Sequence, residues 1–201
     1  MSMQATTPSV AKPSWTWTDI QQLLLRGRAF IVLIIVFTVF AFIAPNFLAP
    51  ANIAIMAKHV AINAILGVGM TFVILTGGID LSVGSIVGLS AMVAGLLLNN
   101  GIQLSQFGII AYPSLWLMAL IVLAVGTLMG ALSGWIITRF NVAPFIATLG
   151  MLYIARGMAQ LSNNGYTFAN LVGNPAYNNT GFAQLGAGGF LGINWSIWIM
   201  I

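Results

Sequence analysis

Few side chains in this sequence can do chemistry, and most of those that can lie close together. Residues 60–98 form a long apolar run interrupted at one place, Thr76-Gly77-Gly78-Ile79-Asp80-Leu81-Ser82. Asp80 is one of 2 acidic residues in 201. Thr71, Thr76, Ser82 and Ser85 add hydroxyls on either side of it. A carboxylate and several hydroxyls without an accompanying cation suit a polyhydroxylated, uncharged solute better than an anion. Acid–base, nucleophilic or metal chemistry has no support. With 1 His, 2 acids and 0 Cys there is no His/Asp/Ser set, no ligand spacing and no phosphate loop.

The same residues have a purely structural account. The Gly77-Gly78 pair permits positive φ and a sharp reversal. Asp80 or Ser82 then accepts from the free N–H groups at the start of the next helix, where a carboxylate also meets the positive end of the helix dipole. The functional account uses the same geometry. A span over 60–76 is short, which places the bend below the lipid headgroups. Broken helices at such depth line cavities, bind polar ligands or act as gates. An intramembrane ionisable group is a functional candidate by default. Both accounts of Asp80, cap and path residue, stand on the sequence.

The elements that carry this bend follow from composition. The chain is 60% hydrophobic and 4% charged, with a mean hydropathy of +1.02. So few charges cannot cover the surface of a water-soluble domain of this size, which makes the class an integral membrane protein. A net charge of +4 comes without a basic stripe, so nucleic acid is not an expected partner. Apolar runs at 29–48, 60–76, 81–98, 115–138 and 144–162 are near the ~20 residues that a bilayer requires. A further run starts at Trp195. The expectation is an all-α, polytopic transmembrane helix bundle with about five complete spans and the start of a sixth. Residues 1–28 form an N-terminal segment and 29–201 a transmembrane domain that continues beyond residue 201. Thr18-Asp19-Ile20-Gln21 has the form of a capping box. A short interfacial helix is therefore expected over 18–28, with Trp15 and Trp17 at headgroup level.

Lys/Arg placement sets the orientation. Arg26 and Arg28 put the N-terminus in the cytoplasm; Lys12 also precedes the first span. Arg139 falls on the same side and agrees. Lys58 and His59 fall outside and read as snorkelling at a helix end. Residues 163–194, rich in Asn, Gly and Thr, form a long outer loop that serves as a docking surface, dips back as a gate, or is simply solvated. Gly126, Gly130 and Gly134 recur every four residues, as do Gly84 and Gly88, so close helix packing is expected along those faces. Arg156 lies about 18 Å along a helix from Pro144 and is not expected to pair with Asp80.

The stretch GVGMTFVILTGGIDLSVGSIVGLSAMVAG (67–95) resembles the signature of the permease subunits of bacterial ABC importers for ribose, xylose, arabinose and related sugars. APFIATLGMLYIARGMAQLSNNG (143–165), which holds Phe145, Thr148 and Arg156, resembles the next motif of that family. The resemblance implies a longer, all-helical permease that works as a homo- or heterodimer in the bacterial inner (plasma) membrane. Two cytoplasmic ATPase domains and a periplasmic sugar-binding protein complete such an importer. ATP and Mg belong to the ATPase partners, and the permease itself binds no cofactor and performs no chemistry. Two other readings are weighed against it. A branched-chain amino acid permease of the related type needs a zwitterion site, for which Asp80 and Arg156 are the available charges. An ion-coupled secondary transporter needs Asp80 as its coupling group.

Overall fold

A backbone in an apolar setting must satisfy its own hydrogen bonds, and an α-helix does so within one segment. The apolar runs accordingly become helices in the structure, a computed structural model. It describes residues 17–104, 106, 108–168, 171–177 and 179–201, with the side chains of 18–20, 23, 24, 183 and 187 outside the description. Lys12, Trp15 and the side chains of Thr18, Asp19 and Ile20 in the expected capping box therefore lie outside the described residues.

The chain divides into two compact units, 1–53 and 54–201. In the first, α1 (Trp17–Arg26) is followed at Gly27 by α2 (Arg28–Ile43). The expected span 29–48 ends early, because the residue before a proline is driven out of the helical region. Ala44, before Pro45, is extended at φ −92° and ψ 121°. The turn then passes through Asn46 at φ 62°. Phe47 folds back onto Phe37 and Phe40, with ring centroids 5.1 and 6.0 Å apart. Asn52 Nδ2 donates to the Phe47 carbonyl at 2.7 Å.

The next helix corrects the sequence reading. Instead of a 17-residue span from 60, α3 runs over Pro50–Leu75, 26 residues. Proline at the first position starts a helix well, since its missing N–H would have no partner there. Lys58 and His59 look like a break but do not stop helix hydrogen bonding, so they sit in the third turn and not at the helix end.

The second unit continues with α4 (Val83–Asn99), a hairpin of β1 (Ile102–Leu104) and β2 (Ile109–Ala111), α5 (Leu115–Phe140) and α6 (Pro144–Leu161). The strands are antiparallel, with Ile102 opposite Ala111. Gly101 at φ +64° and Gly108 at φ +62° turn the chain into and within this hairpin. Helices α4, α5 and α6 pack against one another. Their shared core is Leu89, Met129, Met151 and Ala155, flanked by Ile86, Val93, Val125 and Ala159.

Most other large apolar side chains are exposed, including nearly the whole of α2. Such continuous apolar surface is foreign to soluble proteins and suits lipid or further protein. By length and composition, α3 and α5 are each able to cross a bilayer, at 26 residues with mean hydropathies of 1.7 and 2.4. α2 and α4 are apolar but shorter.

The described residues of 163–194 include short elements of structure. They hold a 3-10 turn at Pro175–Tyr177, α7 (Phe182–Ala187) and a small hairpin of β3 (Gly189–Phe190) and β4 (Ile193–Asn194), which leads into α8 (Trp195–Met200). The expected helix at Trp195 is present.

Candidate functional site

The bend between α3 and α4 is built by its glycines. The N–H of Gly77 donates to the Ile74 carbonyl at 2.9 Å, and that of Gly78 to the Val73 carbonyl at 3.0 Å. With Gly77 at φ +74° this is a Schellman close, which satisfies the last carbonyls of α3. Gly78 sits in a tighter place than Gly77. A Cβ there would lie 3.3 Å from Val73 and 3.6 Å from Cβ of Pro144, the first residue of α6. The bend therefore rests directly on the start of α6.

Asp80 is half-buried and committed to the start of α4. Its Oδ1 accepts from the Ser82 backbone N–H at 2.7 Å and from the Ser82 hydroxyl at 2.6 Å. The first bond is an Asx turn that leads into α4; the N-cap position itself is Ser82, which makes no side-chain cap bond, so Asp80 is not the N-cap that the structural account describes. Ser82, fully buried, does not cap with its own hydroxyl but donates it to Asp80.

Thr148 joins the two motif blocks. It is 2% exposed, and its hydroxyl lies 3.1 Å from the Ile79 carbonyl, beside Asp80. The same hydroxyl is 2.9 Å from the Pro144 carbonyl and 3.3 Å from that of Phe145. Gly78, Ile79, Asp80, Ser82, Pro144 and Thr148 thus form one contiguous site.

Other expected residues do not converge on it. The Thr71 and Thr76 hydroxyls bond their own helix, to the Gly67 and Val73 carbonyls at 2.8 Å each. Ser85 is half-buried in the first turn of α4, and Phe145 is exposed. Arg156 is exposed on α6, and no ion pair with Asp80 is found among the described residues. The glycine faces need correcting within this chain. A Cβ at Gly126 would meet Ser90 at 3.5 Å and Ile86 at 3.8 Å, which marks it as a contact with α4. A Cβ at Gly84, Gly88, Gly130 or Gly134 would meet nothing within 4 Å. Spacing shows which residues share a face, not which face has a neighbour.

Sequence reasoning also missed several features. Ser133 on α5 is 4% exposed, and no hydrogen-bond partner for its hydroxyl is found among the described residues. It lies one turn beyond the core residue Met129, and Thr148 lies about one turn before Met151, so both hydroxyls stand on the same side of the core. At the other end of α4, Asn179 is fully buried. Its Nδ2 donates to the Leu98 carbonyl at 2.9 Å, and its Oδ1 accepts from the Asn174 N–H at 2.7 Å. Tyr177 stacks on Tyr112 at 4.1 Å, and the Phe168 ring lies over Gly95. No local sequence signal marks these contacts, which join residues far apart in the chain.

Residues 52–199 match the family described as branched-chain amino acid transport system / permease component. The ribose import permease protein RbsC of Haemophilus influenzae is 38% identical over 182 residues, covering 90% of this chain and 52% of that protein. RbsC of Bacillus subtilis is 38% identical over 165 residues, covering 82% of this chain and 46% of that protein. The L-arabinose ABC transporter permease protein AraH of Azospirillum brasilense is 31% identical over 204 residues, covering 98% and 54%. The chain thus spans about half the length of the curated relatives it matches. No solved structure matches it.

Proposed function

The chain belongs to the transport-system permease-component family matched by residues 52–199, and from that premise we propose that it is a membrane-spanning subunit of an ATP-driven, binding-protein-dependent importer of a monosaccharide. The observation that carries the reading is the similarity to ribose and arabinose import permeases over nearly the whole chain. A pentose is the leading substrate. Its partners are a second permease subunit, two cytoplasmic ATPase domains that hold ATP and Mg, and a periplasmic sugar-binding protein. The chain itself is not an enzyme.

In this reading the protein sits in the bacterial inner membrane with its N-terminus in the cytoplasm. Helices α2 to α6 are its five spans. α3 is about 39 Å long, against a hydrocarbon core of about 30 Å. Its first turns project to the interface and place Lys58 and His59 there. Its last turns cross the core and end at the bend. The bend, with the hydroxyls of Thr76 and Ser82, and the start of α6, with the Thr148 hydroxyl beside it, belong to the gate or path of the sugar.

The amino acid alternative is less well supported by the site. A zwitterion calls for two opposite charges that converge, whereas Asp80 is bonded to Ser82 and Arg156 is exposed away from it.

Uptake of labelled sugars into proteoliposomes tests the reading, using the full-length permease with its ATPase and binding protein. Uptake that requires both ATP and the binding protein supports it and names the solute. Uptake driven by a proton or sodium gradient without ATP overturns it.

A further inference from the structure

We infer that the Thr148 hydroxyl is a two-position latch between α6 and the bend, a positioning device for the gate. The inference rests on the importer reading above. Threonine in a helix commonly donates to the carbonyl one turn back, and Thr71, Thr127 and Thr138 do so at 2.8, 2.8 and 2.9 Å. Those three are exposed, and no bond to another element is found for them among the described residues. Thr148 differs on both counts. It is buried, and it reaches the carbonyl of Ile79, 69 residues earlier in the chain.

A hydroxyl has one proton to donate. Thr148 has three carbonyls within hydrogen-bond reach, Ile79 at 3.1 Å across the gap and, in its own helix, Pro144 at 2.9 Å and the more distant Phe145 at 3.3 Å. Given to Ile79, the proton fixes the bend against α6. Given to Pro144, it leaves the bend free, and the threonine loses nothing because it keeps a good bond. The group left unpaired by release is the Ile79 carbonyl, for which Thr148 is the partner found among the described residues. Release therefore costs little more than one carbonyl's bond, and a passing hydroxylated solute or a water molecule replaces that bond. Gly78 lies beside Pro144, where an added Cβ would be in ordinary contact at 3.6 Å, so the bend and the start of α6 are neighbours at the donor and acceptor. The Schellman close at Gly77 ends the hydrogen bonds of α3 before Ile79, so the latch opens without unwinding that helix. An element held in either of two arrangements by one shared proton suits alternating access, which needs two states close in free energy.

The test uses the full-length importer in proteoliposomes, with uptake and ATP hydrolysis measured in the same sample. Thr148→Val keeps the shape and removes the proton, and Thr148→Ser keeps the proton. The expected result is that Thr148→Val lowers sugar uptake per ATP hydrolysed by about fivefold, the worth of one ordinary hydrogen bond, while Thr148→Ser stays near wild type. An unchanged ratio in Thr148→Val, or an equal loss in Thr148→Ser, overturns the latch. If Thr148→Val does not assemble, hydrogen exchange on the wild-type complex decides. Amides of the bend 78–82 must exchange at different rates with and without bound ATP, and equal rates overturn the latch. A wild-type complex that imports no sugar overturns the importer reading and the latch with it, which separates that failure from a failure of the latch alone.

Discussion

Substituting Asp80 separates its structural role from any role of its charge. Oδ1 accepts two short bonds, 2.7 Å from the Ser82 N–H and 2.6 Å from the Ser82 hydroxyl. Asp80→Asn keeps an acceptor oxygen at the same place. It loses the charge at the start of α4, worth about 0.3–1 kcal/mol, and turns charge-assisted bonds into neutral ones. The total comes to about 1–2 kcal/mol. Asp80→Ala removes both bonds and orphans an N–H on a residue with no exposed surface, so it costs about 2–4 kcal/mol. Ser82→Ala keeps the backbone bond and costs about 1 kcal/mol. Thermal unfolding of the purified full-length complex, followed by tryptophan fluorescence, should show the greatest loss for Asp80→Ala, a smaller one for Asp80→Asn and the least for Ser82→Ala. Uptake per folded complex then reads the charge. Normal uptake in Asp80→Asn leaves the carboxylate as the starter of α4 alone, and lost uptake at retained stability puts its charge on the path. Equal destabilisation by Asp80→Asn and Asp80→Ala would refute the bonding argument, because only the alanine removes the acceptor.

Gly77→Ala should lower the unfolding temperature by the equivalent of about 1–2 kcal/mol, since φ +74° is costly for a residue with a Cβ. Gly77→Asn should cost less, because Asn enters that region more readily. Gly126→Leu should destabilise by about 1–3 kcal/mol through overpacking against Ser90 and Ile86. Gly130→Leu should leave the fold of this chain within about 0.5 kcal/mol, so that any loss of the assembled complex on size-exclusion chromatography reports a contact with another subunit. Asn179→Ala should leave the Leu98 carbonyl and the Asn174 N–H unpaired at a cost of about 2–4 kcal/mol. Faster hydrogen exchange over 171–181, with the α4–α6 core unchanged, is the signature to look for.

The helices and the bend were legible because their causes are local. An apolar run must close its own hydrogen bonds and two glycines permit the reversal at 77–78, whereas the aspartate expected to cap α4 instead makes an Asx turn to the residue that starts it. The start of α3 was misread because Asn52, Lys58 and His59 look polar enough for a loop, while Pro50 is a helix starter whose effect reaches past them. The glycine stripe was half legible. Period four places Gly126, Gly130 and Gly134 on one face, but only the partner decides where that face is covered, and α4 reaches Gly126 alone.

The site itself shows why the rest stayed hidden. Its central contact is made by the Ile79 carbonyl, and every residue carries a carbonyl, so no side-chain type could flag it. The donor, Thr148, belongs to a residue type that usually satisfies itself within its own helix, as Thr127 and Thr138 do here. What makes Thr148 different is burial beside a turn 69 residues away, a property of packing. The same holds for Asn179, whose amide meets Leu98 across 81 residues. Both contacts tie an element to an end of α4, one at the bend and one near its last turn. A side-chain bond to a backbone carbonyl thus holds the last turn of α4 at Leu98 and another holds the bend that leads into it at Ile79, where the donor Thr148 has an alternative acceptor within reach. That asymmetry gives the bend end the lower cost of release, and in the latch proposed above it is the end expected to move.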